Sequence, residues 1–178
     1  MILVIAILLE GIYYFRKVLS EFRWVRLVRE KSVHSGNRIF VVEDEKLNEL
    51  FNSVFGGGLC IVGGDIYVSQ YAAGEEYIVG HELGHRACKH QLKIMIIRSM
   101  IFPVQLIALL TGGILSWIVC VTCCQLLLTS FSLLTEVEAD TFVTDKRSLA
   151  RNLRYFCTQM EKSYMVSFLN YRISRLIY

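Results

Sequence analysis

An apolar block covering residues 94–134 limits what this chain can fold into more than any other feature. From Ser99 to Leu134 it contains no charged side chain. One helical crossing of a bilayer takes about 20 apolar residues, and the block is about twice that length. Thr111-Gly112-Gly113 lies near its middle and can turn the chain. We therefore expect a transmembrane hairpin with helices over roughly 94–110 and 114–134. A pair of buried helices in a soluble protein is the alternative.

The composition excludes several classes of protein. The chain has 178 residues, 54% of them hydrophobic, and a net charge of only +3. Without a concentrated basic face or a recognisable module, nucleic-acid binding is not expected. The six cysteines form no defensible disulfide framework. Three of them, in Cys120-x-x-Cys123-Cys124, lie within the apolar block, where thiols pack as small hydrophobes.

The amino-terminal segment, residues 1–19, is apolar apart from a few positions and predicts a membrane anchor. A helix lying in the membrane interface is the alternative. Basic residues are frequent over 16–31, so the positive-inside rule places the following segment in the cytoplasm. The predicted organisation is an anchor at 1–19 and a single domain at 20–178, into which the transmembrane hairpin 94–134 is inserted.

The segment between the anchor and the apolar block alternates between strand and helix patterns. Residues 32–37 read as a loop, 38–42 as a strand and 43–54 as an amphipathic helix. Two apolar runs, 59–62 and 65–69, flank Gly63-Gly64 and predict a tight β-hairpin. A helix is expected from about Glu75 to Lys93.

That last helix carries His81-Glu82-Leu83-Gly84-His85. Positions i and i+4 share one helix face, so His81 and His85 can bind one metal ion while Glu82 reaches a water on it. An ordinary exposed helix with two histidines is the alternative. His90 is five residues past the motif and is expected to flank the metal without binding it.

A third ligand is predicted in Glu136-Val137-Glu138-Ala139-Asp140. Glu136 and Asp140 share a helix face, so Glu136 can bind zinc while Asp140 accepts the free ring N–H of a ligating histidine. Glu138 would point nearly opposite, and the small Ala139 would allow close approach of the two helices. A solvated acidic helix end is the alternative interpretation.

Membrane topology restricts where these ligands can meet. His81, His85 and Glu136 can share an ion only if they lie on one side of the membrane, which a two-crossing hairpin allows. The basic residues over 146–154 then lie on the same side as those over 16–31. We therefore expect an integral membrane protein whose site faces the cytoplasm.

The HELGH motif, the apolar hairpin and Glu136-x-x-Ala139-Asp140 together resemble the HtpX family of membrane zinc metallopeptidases, which is related to the CAAX prenyl proteases. A glycine-rich strand ahead of the motif, His90 and Arg172-Ile173-x-x-Leu176 are also similar. The likeness covers roughly residues 38–176, although the His-Pro that often precedes the last helix in that family is missing. It implies a mainly helical α+β fold, with a gluzincin-like zinc peptidase core, a small β-hairpin or sheet, and transmembrane helices.

The resemblance also implies cleavage of membrane-associated or misfolded proteins, with a polypeptide substrate and the lipid bilayer as partners. In the expected mechanism Zn²⁺ polarises the scissile carbonyl and lowers the pKa of a bound water, and Glu82 is the general base. An extended substrate is expected to pair with Asp65–Ser69. The group that stabilises the oxyanion is left unassigned. Its candidates, each interpreted as a surface or packing residue, are Arg154, Tyr155, Tyr164 and Arg172.

Two other functions stay open at this point. A soluble regulatory peptidase of the ImmA/IrrE kind also joins an HELGH-like motif to a downstream Glu-x-x-Ala, usually through a short polar connection. A non-catalytic membrane scaffold would hold zinc only for structure, and structural zinc sites usually have four protein ligands. The oligomeric state is not predicted.

Overall fold

A computed structural model describes residues 5, 8, 11, 12, 15, 16, 23–55, 57–159 and 164–177. The predicted anchor therefore falls mostly outside the described residues. The protein is mainly helical with a small mixed sheet, as the sequence predicted. Its elements are α1 (residues 23–30), β1 (Ser32–Gly36), β2 (Ile39–Val42), α2 (Glu45–Phe55), β3 (Gly58–Cys60), β4 (Ile66–Ser69), α3 (Glu76–Ala87), α4 (His90–Asp140), α5 (Lys146–Gln159) and α6 (Tyr164–Ile177).

The sheet has the strand order β1-β2-β4-β3. Strands β2 and β4 are parallel, whereas β3 and β4 form the predicted antiparallel hairpin, with Gly64 at φ +79° in its turn. Every residue of β4 is buried because helices cover both of its faces. Ile66 and Val68 share an apolar cluster with residues of α3, and Ser69 on the opposite face hydrogen-bonds Asn52 of α2.

Two boundaries differ from those expected. Ser32–Gly36 is a strand and not a loop, because it pairs with β2 at the edge of the sheet, where exposed polar side chains are tolerated. The helix expected to end at Lys93 ends at Ala87. Lys89 takes the left-handed conformation (φ 54°, ψ 37°), so the chain turns there and residues 90–93 begin α4.

The apolar block forms most of α4, which spans 51 residues and leaves helical geometry at Gly113 (φ 72°, ψ −164°). An unbroken helix of that length would be about 76 Å long. His90 near its start and Glu138 near its end nevertheless lie 2.9 Å apart, so the chain must reverse at the Gly113 break. The predicted position of the hairpin turn is thus confirmed. Its arms are longer than 94–110 and 114–134, since a single non-helical residue makes the turn.

α4 is long and apolar enough to cross a membrane, and only 6% of its most apolar window is buried. That exposure is unlike the core helix of a soluble protein, whose apolar face is mostly covered. Each arm covers more than 20 residues, or about 30 Å or more, which matches the hydrocarbon thickness of a bilayer.

The described residues form two compact units, one from those within 1–30 and 92–132 and the other from those within 31–91 and 133–178. In the first, Val28, Ile101 and Leu109 are among the buried apolar side chains. In the second, one apolar cluster joins α3 to α5 and α6 and another joins α3 to the sheet. All side chains of the candidate site described next belong to the second unit.

Candidate metal centre

The HELGH segment lies on α3, which is held from two sides. Tyr77 packs in the cluster shared with α5 and α6, and Val79 packs on the sheet. At Gly84 an added Cβ would lie 2.7 Å from the carbonyl oxygen of Ala139 and 2.8 Å from its Cα. The absence of a side chain at Gly84 therefore lets α3 lie directly against the last turn of α4, which carries Glu136 and Asp140.

Three side chains from these two helices bring their ligand atoms together. The Nε2 atoms of His81 and His85 are 3.1 Å apart. The carboxylate oxygens of Glu136 lie 3.3 Å from each of these nitrogens, Oε2 beside His81 and Oε1 beside His85. The structure thus places together the three residues that the sequence singled out as metal ligands.

The spacing of the two histidine nitrogens in this triangle fits a tetrahedral zinc ion. Zinc binds imidazole nitrogen and carboxylate oxygen at about 2.0–2.1 Å, and tetrahedral angles then separate two ligand atoms by about 3.3–3.4 Å. The 3.1 Å between the two ring nitrogens is close to that value, and each nitrogen lies 3.3 Å from a different oxygen of Glu136. Two histidines and one glutamate leave a fourth position for a water or a substrate, as catalytic zinc sites do.

Asp140 orients the first of these histidines. The Nδ1–H of His81 donates to Oδ1 of Asp140 over 2.9 Å, which leaves Nε2 directed at the triangle. Burial by itself would lower the pKa of His81, but the hydrogen bonds with Asp140 and Glu136 outweigh it and raise the pKa to about 10. Without a metal, the ring is therefore protonated at neutral pH and occupies the triangle as a cation.

Glu82, the predicted base, is buried between α3 and β3. Burial raises the pKa of its carboxyl, and a hydrogen bond from the backbone N–H of Cys60 acts in the opposite direction. An added Cβ at Gly58 would lie 2.8 Å from Cγ of Glu82, so the glycine makes room for the base. A buried carboxylate with a raised pKa takes up a proton more readily than an exposed one, as a general base must.

The strand beside Glu82 is β3, and this corrects the expected position of an extended substrate. Asp65–Ser69 cannot accept another strand, because β4 is paired on both sides. β3 lies at the edge of the sheet. The backbone N–H of Ile61 donates to the carbonyl of Asp65, and the carbonyl of Gly57 accepts from the N–H of Ser69. In an antiparallel ladder, Gly58 and Cys60 then direct their backbone N–H and C=O groups away from β4. The unpaired edge of β3 therefore faces Glu82, and the N–H of Cys60 at this edge donates to the Glu82 carboxylate.

His85 is supported by a second chain of hydrogen bonds. Its Nδ1 lies 2.9 Å from Nδ1 of His90, whose Nε2 lies 2.9 Å from Oε2 of Glu138. A neutral His90 that donates from Nε2 to the carboxylate accepts at Nδ1, so His85 donates from Nδ1 and keeps Nε2 free for a metal. His90 stays outside the triangle, as expected, but its contact with His85 was not foreseen.

Arg172 belongs to the site, and its interpretation as a surface or packing residue was wrong. It is only 7% exposed. Its Nε–H and Nη2–H donate to the two oxygens of Asp140, and its Nη1–H donates to Glu136 over 3.2 Å. It is thus a positioning residue for both carboxylates. Arg154 and Tyr155 are exposed, and the side chain of Tyr164 falls outside the described set.

The sequence of α6 contains a signal for the role of Arg172. Leu169 and Ile173 form the buried stripe of α6, and Arg172 lies within that stripe. A cation on a buried apolar face needs an anionic partner, which points to the acidic pair at the end of α4.

The chemistry of this centre can be judged only from its own side chains. No protein-family model, curated protein or solved structure matches this chain.

Proposed function

We propose that this protein is an integral-membrane zinc-dependent endopeptidase. The observation that supports this most directly is the triangle of His81, His85 and Glu136 with the buried carboxyl of Glu82 beside it. Hydrolytic zinc sites typically bind the metal through two imidazoles and one carboxylate and place a base beside it. Structural zinc is instead usually enclosed by four protein ligands.

Zinc bound at the triangle would supply a Lewis acid that polarises a scissile carbonyl and makes water acidic at neutral pH. The protein's own residues have separate tasks. Glu82 accepts a proton at its carboxylate and later returns it to the leaving amine. Asp140 holds His81 in the tautomer that binds a metal, and Arg172 holds Asp140 and Glu136 in place.

The substrate in this proposal is an extended polypeptide paired along the outer edge of β3. Backbone hydrogen bonds there alternate, so only every second residue of the substrate bonds the edge. The test is to measure cleavage of a series of peptides, each N-methylated at a single position, because N-methylation removes one backbone N–H donor. Loss of cleavage should alternate along the peptide, and losses without that alternation would contradict pairing at β3.

Membrane-associated or misfolded proteins are the proposed substrates, and the proposed orientation places the site in the cytoplasm. The cytoplasmic orientation is supported by the cluster of basic residues over 146–154. Trypsin should cut this region in inverted membrane vesicles and spare it in right-side-out vesicles. Cutting only in right-side-out vesicles would reverse the orientation.

The decisive experiment compares cleavage of an unfolded test protein by the wild type, Glu82→Gln and Glu76→Gln. The last variant is a matched control, because Glu76 is an exposed carboxylate on the same helix. Loss of a general base lowers the rate by about 10²–10⁴-fold. Glu82→Gln should therefore lose cleavage and keep its zinc, while Glu76→Gln keeps both.

Two outcomes would contradict the proposal. Equal cleavage by the wild type and Glu82→Gln would remove Glu82 from the mechanism. Zinc binding without cleavage by any of the three proteins would favour the non-catalytic scaffold. A soluble ImmA/IrrE-like peptidase fits less well, because the two halves of the site are joined by a long apolar helix and not by a short polar connection.

A further inference from the structure

A second group of potential ligands lies beside the first and is chemically different from it. It consists of Cys88, His90 and Glu138, whose sulfur, ring nitrogen and carboxylate oxygen lie within 4.8 Å of one another. We propose that these three side chains bind a second transition-metal ion. The proposal does not depend on peptidase activity.

The turn between α3 and α4 creates this group. Cys88 caps α3, His90 begins α4, and Lys89 between them has φ +54°. Non-glycine residues take this conformation rarely and at a cost, so a left-handed lysine in a short turn marks a backbone held by its surroundings. This backbone carries the flanking cysteine and histidine to the last turn of α4, where Glu138 is.

His90 is the fixed member of the group. Its ring is fully buried, and its Nε2 is directed at the carboxylate of Glu138 over 2.9 Å. An ion at this nitrogen would replace the proton that Nε2 donates to Glu138. The released proton would go to solvent, and the ring would bind as an imidazolate while Nδ1 still accepts from His85. The other two ligands are accessible: the side chain of Glu138 is 53% exposed and Cys88 is partly exposed. An ion can therefore reach this group from solvent and leave again, which describes an exchangeable site and not a structural one.

The donor set determines the class of ion. A thiolate and an imidazole favour borderline or soft ions such as Zn²⁺ and Co²⁺, whereas Ca²⁺ and Mg²⁺ prefer sites made only of oxygen. The first centre contains two nitrogens and a carboxylate but no sulfur. Sulfur bonding therefore separates the two sites spectroscopically.

Titration of the metal-free, reduced full-length protein in detergent with Co²⁺ tests the proposal. An ion bound at the first centre gives only visible ligand-field bands. The second site should add a thiolate-to-cobalt charge-transfer band in the near ultraviolet, with a second equivalent of bound metal. Cys88→Ser should abolish this band and keep the first equivalent, which also shows that the variant is folded. Glu138→Gln should weaken the second equivalent.

Cys157→Ser is the matched control, because Cys157 is also partly exposed and lies outside both groups. It should keep the charge-transfer band. Binding of a single equivalent with no sulfur band would overturn the second site, as would a band that persists in Cys88→Ser. A sulfur band without the first equivalent would support the second site and contradict the proposed zinc centre, so the two failures are distinguishable.

Discussion

Replacing Gly84 by alanine should weaken metal binding through the backbone alone. The new Cβ would lie 2.8 Å from Cα of Ala139, whereas carbon atoms in contact are normally about 3.5–4.0 Å apart. Helices α3 and α4 must therefore separate by about 1 Å, and metal–ligand distances tolerate only about 0.2 Å. The metal-free protein can relax by this separation, but the bound metal forces the helices together and so carries the strain.

Overpacking of this kind costs about 1–3 kcal/mol. At about 1.4 kcal/mol for each tenfold change, zinc affinity should fall by about 5- to 150-fold. Competition with a chromogenic chelator measures that affinity in detergent.

Gly80→Ala is the matched control for this experiment. It lies one turn earlier on α3, and an added Cβ there would be 3.5 Å from its nearest neighbour, Cα of Val143, which is an ordinary contact. Both substitutions gain the same helix propensity, about 1 kcal/mol, so their difference isolates the helix–helix contact. Equal zinc affinity and equal thermal stability of the two variants would refute the argument that Gly84 sets the spacing of the site.

Two further predictions concern the charges around the triangle. Arg172→Leu removes one of the two cationic partners of the buried Asp140 and should lower the free energy of unfolding by about 3 kcal/mol, whereas the exposed Arg151→Leu should change it by less than about 0.5 kcal/mol. Unfolding of both variants in detergent checks this, and similar losses would contradict it. Because the pKa of metal-free His81 is raised to about 10, zinc must displace a proton at neutral pH, and its affinity should fall as the pH falls. Calorimetry in two buffers of different ionisation heat should show about one proton released per zinc at pH 7, and no release would contradict the prediction.

The elements that could be predicted are those specified by local sequence. Gly63-Gly64 between two apolar runs defined the hairpin of β3 and β4, and the break at Gly113 falls within the predicted turn. β1 was missed because its sequence has no apolar alternation, and its strand conformation depends on pairing with β2. The end of α3 was missed because Lys89 is not a residue type that normally stops a helix in the left-handed conformation.

The residues of the candidate site also divide into those specified by local sequence and those that depend on tertiary packing. His81, His85, Glu136 and Asp140 follow from helical spacing, and the structure places them together. The pattern of α6 indicates that Arg172 lies on a buried face and needs an anionic partner, but its contacts with Asp140 and Glu136 depend on how α6 packs against the end of α4.

The break at Gly113 has a consequence for how the protein is made. His81 and Asp140, which hydrogen-bond each other, are 59 positions apart, and Arg172 follows Asp140 by 32 positions. At about 5–20 residues per second, the ribosome needs roughly 5–20 s to pass from the first histidine to the arginine. Glu136 follows the first histidine by 55 positions, so for roughly 3–11 s of that interval the nascent chain has both histidines and Glu82 but no third ligand. The centre can therefore form only after the apolar segment has been synthesised and folded back, and a chain that stops before Glu136 lacks one of the three ligands.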